Sequence, residues 1–592
     1  MTRLLAWLDT RLLNEGDQNH AGYRLGLFLA LAYALVPSAE ALTLAFAEPY
    51  TVQDDARQFL FWMAQWRDPA LFAGDPIAKY FSTVTPPGFK ALHYILDIFG
   101  LAPFVANKLL VMPLFLATAG LAYRLAWSIR PIAAVAVAAS WFTCFFLSLI
   151  DQSLLSAVPR AFAVPLFLWF LVALLERRLI QLGLACLMQG IFYPPIALVT
   201  AGVLGFSLLR WRGLKAFFSF TKSRISPFII GMTAIAATLI PYAFATGGYG
   251  PVMTGVEAAA NPSLQSGGRS AFFLGSAMET YFCGARAGFL PVEWGCGEAY
   301  RQDLAIAPIL ALALMLFAVG VPAALAWQGL RAVDDATSAS FYRRAPIFFA
   351  VLAAGGFWYF LAHIVLFDLH LPSRYTQHPL RAVAWVAAAL LAGPALIAIG
   401  KKFAPRLTGL LAIILAGAFF ILPLPLGPSP YANYVTGQHP ELYRFLSKLR
   451  KDVRIASLTL EADNIPSLSA RSILSAREYA IPYAKGYMTP LKTKTSAMIR
   501  AQYATSASSL LLFLKRYQPH YLLVDSTASD ENAIERQWWN KDYPLEAKWA
   551  KGQIHQDEPF LFRILDACEI LTSEHLVLID TNCLRRLGPS WR

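Results

Sequence analysis

Charged residues are scarce in this sequence: Asp, Glu, Lys and Arg together account for 15% of its 592 residues, while 57% are hydrophobic. Soluble globular domains carry about a quarter charged residues, so the composition argues against a soluble protein. The hydrophobic excess is concentrated in runs of about twenty residues, the length that crosses the hydrocarbon core of a bilayer. Because a helix satisfies its own backbone groups in lipid, the composition predicts a polytopic α-helical membrane protein.

Other common features are missing as well. No Gly-rich phosphate loop follows a predicted strand, so no nucleotide site is predicted, and we assign neither a cofactor nor a metal. Residues 1–23 carry several charges, among them Asp9, Arg11 and Glu15, and do not resemble a cleaved signal peptide. We expect this segment to be cytoplasmic. The net charge of +13 arises from loops between apolar runs, so nucleic acid is not expected as a partner.

The apolar runs predict about eleven transmembrane helices. They are placed near residues 24–46, 105–127, 132–150, 160–175, 179–193, 195–210, 226–245, 304–327, 347–367, 381–399 and 407–426. Within one long run, the sequence Tyr193-Pro194-Pro195 removes two backbone donors, which is expected to divide the run into two shorter helices.

The basic residues between the spans predict their orientation. Alternate loops hold most of the Lys and Arg, for example Arg210 and Lys215 in one loop and Lys401 in another. Cytoplasmic loops are enriched in these residues, so we expect these loops in the cytoplasm of a bacterial cell, under its inner (plasma) membrane. The scheme comprises a cytoplasmic segment 1–23, a transmembrane domain 24–426 with outer loops 47–104, 246–303 and 368–380, and a periplasmic domain 427–592.

Only six cysteines are present, and four of them fall on the predicted outer side in two close pairs. Cys283 and Cys296 share the loop 246–303, and Cys568 and Cys583 share the C-terminal domain. Close pairs in an oxidising compartment favour disulfides. The sequence therefore predicts two disulfide bonds, with four free thiols as the alternative.

The C-terminal residues have a different pattern from the rest of the chain. The stretch HPELYRFLSKLRKD places Leu442, Phe445 and Leu446 at helical spacing, and ASSLLLFLKRYQ reads as a second helix. Two apolar runs, 453–459 and 520–526, read as buried strands. Alternating helices and strands predict a small α/β domain with a parallel sheet.

The first predicted outer loop carries the most suggestive acidic residues. Asp54 and Asp55 are adjacent and lie just beyond the first span, and Asp75 follows. A carboxylate at the membrane boundary can accept a proton from a hydroxyl group while a lipid-linked molecule presents its headgroup at the same depth. The alternative is a helix cap, a position that Asp favours. The aromatic, amphipathic stretch Phe59 to Trp66 could lie in the membrane interface.

A second outer segment, FDLHLPSRYTQHPLR, is basic where few positive charges are expected. It contains Arg374, Tyr375, His378 and Arg381. The planar guanidinium of Arg suits phosphate, so Arg374 could hold the phosphate of a lipid carrier; the alternative is contact with lipid headgroups or an acid. Arg160 lies at another outer span end, as a second phosphate contact or as a snorkelling residue.

These features together resemble the GT-C glycosyltransferases. The resemblance rests on the pair Asp54-Asp55 opening a long outer loop, on many spans, on the late LPSRY segment and on a C-terminal periplasmic domain; it covers roughly residues 24–426. It is strongest to the bacterial lipid-linked sugar transferases that modify lipid A or proteins. It implies that Asp55 or Asp54 is the catalytic base and that Arg374 binds the donor phosphate. The C-terminal domain shows no carbohydrate-binding signature.

The resemblance implies transfer of a sugar, with inversion, from a polyprenyl-phosphate-linked donor to a lipid, glycan or protein acceptor on the periplasmic face. The substrate-binding residues expected are Arg374, Tyr375, Arg160, His378 and Arg381. The alternatives are a transporter, a lipid or polysaccharide flippase, and a non-catalytic envelope assembly factor. Transporters place ionisable groups or broken helices near mid-membrane, whereas the charges here cluster at span ends.

Overall fold

A computed structural model describes residues 7, 9–16, 20–149, 153–212, 215–218, 220–244, 248–302, 304–331, 344–403 and 433–587. The chain divides into two compact units. The first, called here the membrane unit, comprises Met1–Ala47, Pro86–Ala245 and Gly275–Tyr434. The second, the α/β unit, comprises Glu48–Thr85, Thr246–Leu274 and Val435–Arg592. Parts of two predicted outer loops thus group with the C-terminal residues, which the sequence did not indicate.

Ten apolar helices build the described part of the membrane unit. Six are long enough and apolar enough to cross a bilayer: His20–Ala45, Pro103–Ile129, Lys222–Pro241, Ala307–Gln328, Ile347–Ile364 and Pro372–Lys402. Four shorter ones are Ala133–Ser148, Pro159–Leu175, Leu179–Phe192 and Pro194–Ser207. They correspond to ten of the predicted spans; the remaining one, 407–426, lies outside the described residues. The chain is a polytopic α-helical membrane protein.

Small residues allow these helices to pack closely. The helix His20–Ala45 packs against Pro103–Ile129 and Ala133–Leu149, and its alanines at 30 and 34 are fully buried. At Gly26 an added Cβ would lie 2.6 Å from the Tyr123 hydroxyl oxygen. Close backbone approach of this kind supplies the van der Waals contact that holds helices together in lipid.

The predicted break at the double proline is confirmed. Leu179–Phe192 ends before Tyr193, whose φ of −150° is not helical, and Pro194–Ser207 begins immediately after it. Proline suits the first turn of a helix because the missing N–H would have no partner there.

A five-stranded sheet forms the centre of the α/β unit. Its strands are, in spatial order, Ser472–Ile473, Arg454–Ser457, Tyr521–Asp525, Leu576–Asp580 and Glu569–Ser573. The first three are parallel, and the last two continue the sheet as an antiparallel hairpin. The two strands predicted from the sequence are confirmed and lie side by side, whereas the hairpin was missed.

Helices cover this sheet and bury its apolar side chains. The two predicted helices are confirmed as Pro440–Lys448 and Ala507–Tyr517, and the longest, Lys485–Tyr503, packs against the second of them. Trp539 and Tyr503 are fully buried in this core, with ring centroids 5.6 Å apart.

The start of the first predicted outer loop is a folded part of the α/β unit. It forms the strand Thr51–Gln53, the helix Ala56–Leu60, the 3₁₀ turn Phe61–Trp66 and the helix Pro76–Val84. Within the turn, Phe61, Trp62 and Met63 are at most 5% exposed. These three side chains belong to a protein core, so the interfacial position is wrong for them; Phe59 and Trp66, at the two ends of the stretch, are half-exposed.

Both predicted disulfides are confirmed. Cys283 is bonded to Cys296 in the membrane unit, and Cys568 to Cys583 in the α/β unit. The other two cysteines are free and buried.

Candidate functional site

The acidic pair of the first outer loop stands between a short strand and a short helix of the α/β unit. Asp55 occupies the N-cap position of the helix Ala56–Leu60, but its side chain makes no capping hydrogen bond. Asp75 does cap the next helix, accepting from the backbone N–H of Ile77 at 2.7 Å. The helix-cap interpretation thus describes Asp75 and does not describe the Asp55 carboxylate, which is half-exposed.

The neighbouring Asp54 is held by an arginine one turn along. The Nη2 of Arg57 donates to the Asp54 carboxylate, and its Nε donates to the Asp54 carbonyl oxygen at 3.3 Å. The Arg57 side chain is 7% exposed, whereas that of Asp54 is 35% exposed. Burial lowers the pKa of Arg57, but the carboxylates of Glu478, Asp463 and Asp54 outweigh it and raise that pKa above its ordinary value.

Glu478 is the centre of the buried polar network around Arg57. Its Oε1 accepts from Gln58 Nε2 at 2.6 Å, and its Oε2 accepts from Arg269 at 2.9 Å and from Arg57 at 3.5 Å. Its backbone N–H donates to Asp463 Oδ1 at 2.8 Å. Burial raises the pKa of the Glu478 carboxyl, but donors occupy both of its oxygens, so we assign the ionised form.

In the membrane unit, the LPSRY segment makes hydrogen bonds to the loop that the Cys283–Cys296 disulfide closes, called here the disulfide-closed loop. Ser373 Oγ donates to the Ala285 carbonyl at 3.0 Å. Gln377 Nε2 lies 3.3, 3.2 and 2.8 Å from the carbonyl oxygens of Gly284, Gly288 and Leu290. These contacts anchor the 3₁₀ turn Pro372–Tyr375 at the start of the last described membrane helix.

Arg374 projects from this anchored turn and is half-exposed. Among the described residues, its side chain makes no hydrogen bond and no ion pair. Its charge acts on His370 together with that of Arg286, and on His378 together with those of Arg381 and Arg160. Arg374 and Arg160, both predicted from the sequence, therefore act on His378, and Arg374 acts on His370 as well.

The other predicted binding residues are internal. Arg381 makes a bidentate ion pair with Glu293, at 2.6 and 2.8 Å. His378 is fully buried, and its Nε2 lies 3.1 Å from the Tyr193 hydroxyl. Tyr375 is 1% exposed and donates to the Leu369 carbonyl at 2.6 Å. These three side chains hold the segment together.

Sequence reasoning missed the partners that organise both sets of residues. They are Arg57, Gln58, Arg269, Asp463 and Glu478 in the α/β unit, and Arg286, Glu293 and Gln377 in the membrane unit. The three-residue spacing of Asp54 and Arg57 was a usable signal. The others come from distant segments and leave no local pattern.

Over the described ranges, no group of three or more His, Cys, Asp or Glu could hold a metal ion.

No family model matches the sequence, and no curated protein matches it. Among solved structures, the chain is similar to the oligosaccharyltransferase of Archaeoglobus fulgidus in its apo form, with a TM-score of 0.48 and 12% identity over 88% of this chain and 72% of that one. It is also similar to the same organism's AglB bound to an inhibitory peptide and a dolichol-phosphate, with a TM-score of 0.48 and 11% identity over 87% and 72% of the two chains.

The arabinofuranosyltransferase AftD from Mycobacteria is similar as well, with a TM-score of 0.42 and 14% identity over 84% of this chain and 35% of that one. Likeness at this level does not assign an activity. The function proposed below rests on the residues themselves.

Proposed function

We propose that this chain is a membrane glycosyltransferase that uses a polyprenyl-phosphate-linked sugar donor. The observation that carries the proposal is Arg374, a half-exposed residue on an anchored turn at the start of the membrane-spanning segment Pro372–Lys402. Within the described part of the chain, its side chain makes no ion pair. A lipid-linked phosphate would reach such a position from the bilayer, and a guanidinium binds phosphate through two parallel hydrogen bonds.

The neighbours of Arg374 support an anionic ligand. Arg286 acts with it on His370, and Arg160 acts with it on His378. Like charges repel, and the Glu293 carboxylate is paired with Arg381. A bound phosphate or diphosphate would remove that repulsion and would be stabilised as a leaving group by the same cations.

Asp55 is proposed as the general base and Asp54 as the residue that orients the acceptor. In the reaction, the acceptor hydroxyl oxygen attacks the anomeric carbon, its proton passes to the Asp55 carboxylate, and the bond to the donor phosphate breaks with the electron pair remaining on phosphate. The half-exposed position of Asp55 leaves room for an acceptor to approach. The acceptor is a lipid, a glycan or a protein.

The proposed location is a bacterial inner membrane, with a cytoplasmic N-terminus and with residues 427–592 in the periplasm. Two observations support this orientation. The basic residues lie in the alternate loops expected in the cytoplasm. Both disulfides lie in segments assigned to the other side, where the compartment is oxidising.

The test is sugar transfer by the purified protein in lipid vesicles, from a synthetic polyprenyl-phosphate sugar. Arg374→Ala is expected to raise the KM for the donor at least about tenfold, because charged hydrogen bonds are lost. Arg374→Lys should recover part of this, since an ammonium cannot form the fork. Lys401→Ala, at an exposed pair with Asn14, is the matched control. Full activity of Arg374→Ala would contradict the assignment of the phosphate site.

One observation favours a second candidate, a lipid or polysaccharide flippase. The helix break at Tyr193 meets the buried His378 within the membrane unit, and broken helices with polar partners occur in transporters. The same vesicles distinguish the two functions. Movement of a fluorescent lipid-linked sugar across the bilayer without formation of a glycosidic bond would replace the transferase proposal. Formation of that bond without net movement supports it.

A further inference from the structure

The C-terminal part of the α/β unit makes several hydrogen bonds to the segment that carries the acidic pair. Two consecutive side chains of the helix after Asp55, Arg57 and Gln58, both bind Glu478. Gln58 donates to the Glu478 carbonyl oxygen at 2.8 Å as well as to its carboxylate. Glu478 follows the strand Ser472–Ile473, about four hundred residues further along the chain.

The Arg57 guanidinium connects this network of hydrogen bonds to Asp54. Arg57 makes three sets of contacts: Nη1 donates to Asn464 Oδ1 at 2.8 Å, Nη2 donates to both Glu478 and the Asp54 carboxylate, and Nε donates to the Asp54 carbonyl oxygen. Asn464, like Glu478, belongs to the C-terminal part of the chain. Contacts with the C-terminal part of the chain thereby hold the Arg57 side chain, and through it the Asp54 carboxylate.

A third segment completes the arrangement. Arg269, from residues Thr246–Leu274, donates to Glu478 Oε2 and also reaches the Arg477 carbonyl at 3.3 Å. Its backbone N–H donates to Asp542 Oδ1 at 3.0 Å. Glu478 is 3% exposed, so its charge is costly to bury unless every one of these donors stays in place.

We propose that Glu478 is the positioning residue of the acidic pair, acting through Arg57 and Gln58. The C-terminal domain thus orients the loop that carries Asp54 and Asp55. The inference rests on the proposed function for its catalytic consequence, but the positioning itself is a property of the fold and is measurable without any substrate.

The test is hydrogen exchange in the full-length protein carrying Glu478→Gln. This change keeps the size of the side chain and removes the charge that holds both guanidinium groups. Backbone amides of residues 54–60 are expected to exchange at least about tenfold faster, because charge-assisted hydrogen bonds are lost. Amides of the strand Tyr521–Asp525 should keep their wild-type rate. Asp452→Asn, in an ion pair whose carboxylate is 62% exposed, is the matched control and should leave residues 54–60 unchanged.

Two results would overturn the inference: wild-type exchange of residues 54–60 in Glu478→Gln, or faster exchange that spreads over the whole sheet. A transfer assay adds a functional measurement. Glu478→Gln should lower kcat about tenfold and leave the KM for the donor within about twofold. Combined with Arg57→Gln, it should cost no more than the worse single change, because both act in one chain of contacts; multiplied losses would contradict this.

The two proposals fail in different ways. If the wild-type protein transfers no sugar and residues 54–60 are still loosened by Glu478→Gln, the proposed function is wrong and the positioning role stands. If transfer is observed and exchange is unchanged, the function stands and the positioning role is wrong.

Discussion

Arg381 and Glu293 form a bidentate ion pair in which both side chains are only 6% exposed. The pair joins the helix Gln377–Phe403 to the 3₁₀ turn Val292–Trp294 of the disulfide-closed loop. Arg381 also lies 3.4 Å from His378 Nδ1. Of the two arginines in this segment, Arg381 is thus neutralised and structural, whereas Arg374 makes no ion pair among the described residues.

Removal of one partner from this pair is expected to destabilise the protein strongly. Arg381→Ala leaves Glu293 as a buried charge without its guanidinium, which costs about 3–5 kcal/mol in comparable buried pairs. The double change Arg381→Met with Glu293→Met should be less harmful than either single change. Thermal unfolding in detergent, followed by tryptophan fluorescence, ranks the stabilities of the single and double variants. A double variant less stable than both single ones would contradict it.

The disulfide of the membrane unit should stabilise the loop that anchors Arg374. Cys283 and Cys296 are 13 residues apart, and closing a loop of that size contributes about 3 kcal/mol in the chain-entropy account. Replacing both by Ser should lower the unfolding temperature and raise the donor KM, because Gln377 binds carbonyls inside the loop. Non-reducing peptide mapping should find this bond and Cys568–Cys583. Free thiols at all four positions would contradict the assigned compartment.

The two aspartates are expected to differ in their contribution to rate. A general base contributes about 10²–10⁴-fold, so Asp55→Asn should fold normally and lose at least about a hundredfold in kcat. Asp54→Asn should cost less, since that carboxylate is engaged by Arg57. Transfer rates at saturating donor give the comparison. The reverse ranking would assign the base to Asp54, and wild-type transfer by the double Asn variant would exclude the mechanism.

The orientation is open to a direct test. A reporter that is active only in the periplasm, fused at the C-terminus, should be active in cells, because the basic loops are expected in the cytoplasm. A second fusion in the basic loop near Arg212 should be inactive. Activity of a cytoplasm-only reporter at the C-terminus would invert the scheme and with it the predicted side of the reaction.

Much of the architecture could be predicted because it depends on local composition. A run of about twenty apolar residues crosses a bilayer wherever its neighbours lie, and helices fill ten of the predicted spans. The Tyr193-Pro194-Pro195 break was predictable for a similar reason, since proline acts on its own helix. The close cysteine pairs and the strands Arg454–Ser457 and Tyr521–Asp525 were equally local signals.

The tertiary structure alone decided which polar groups meet. Glu478 and Arg57 are 421 residues apart. The sequence around Glu293 and Gln377 likewise contains no pattern that predicts which residues they contact. The same limit explains the aromatic turn: Phe61 and Trp62 suit a membrane interface and a protein core equally well in composition, and only the packing of Tyr479 against Phe61, with ring centroids 5.3 Å apart, selects the core. Apolar runs are recognised by their own length, whereas a hydrogen bond between distant segments depends on the fold that brings them together.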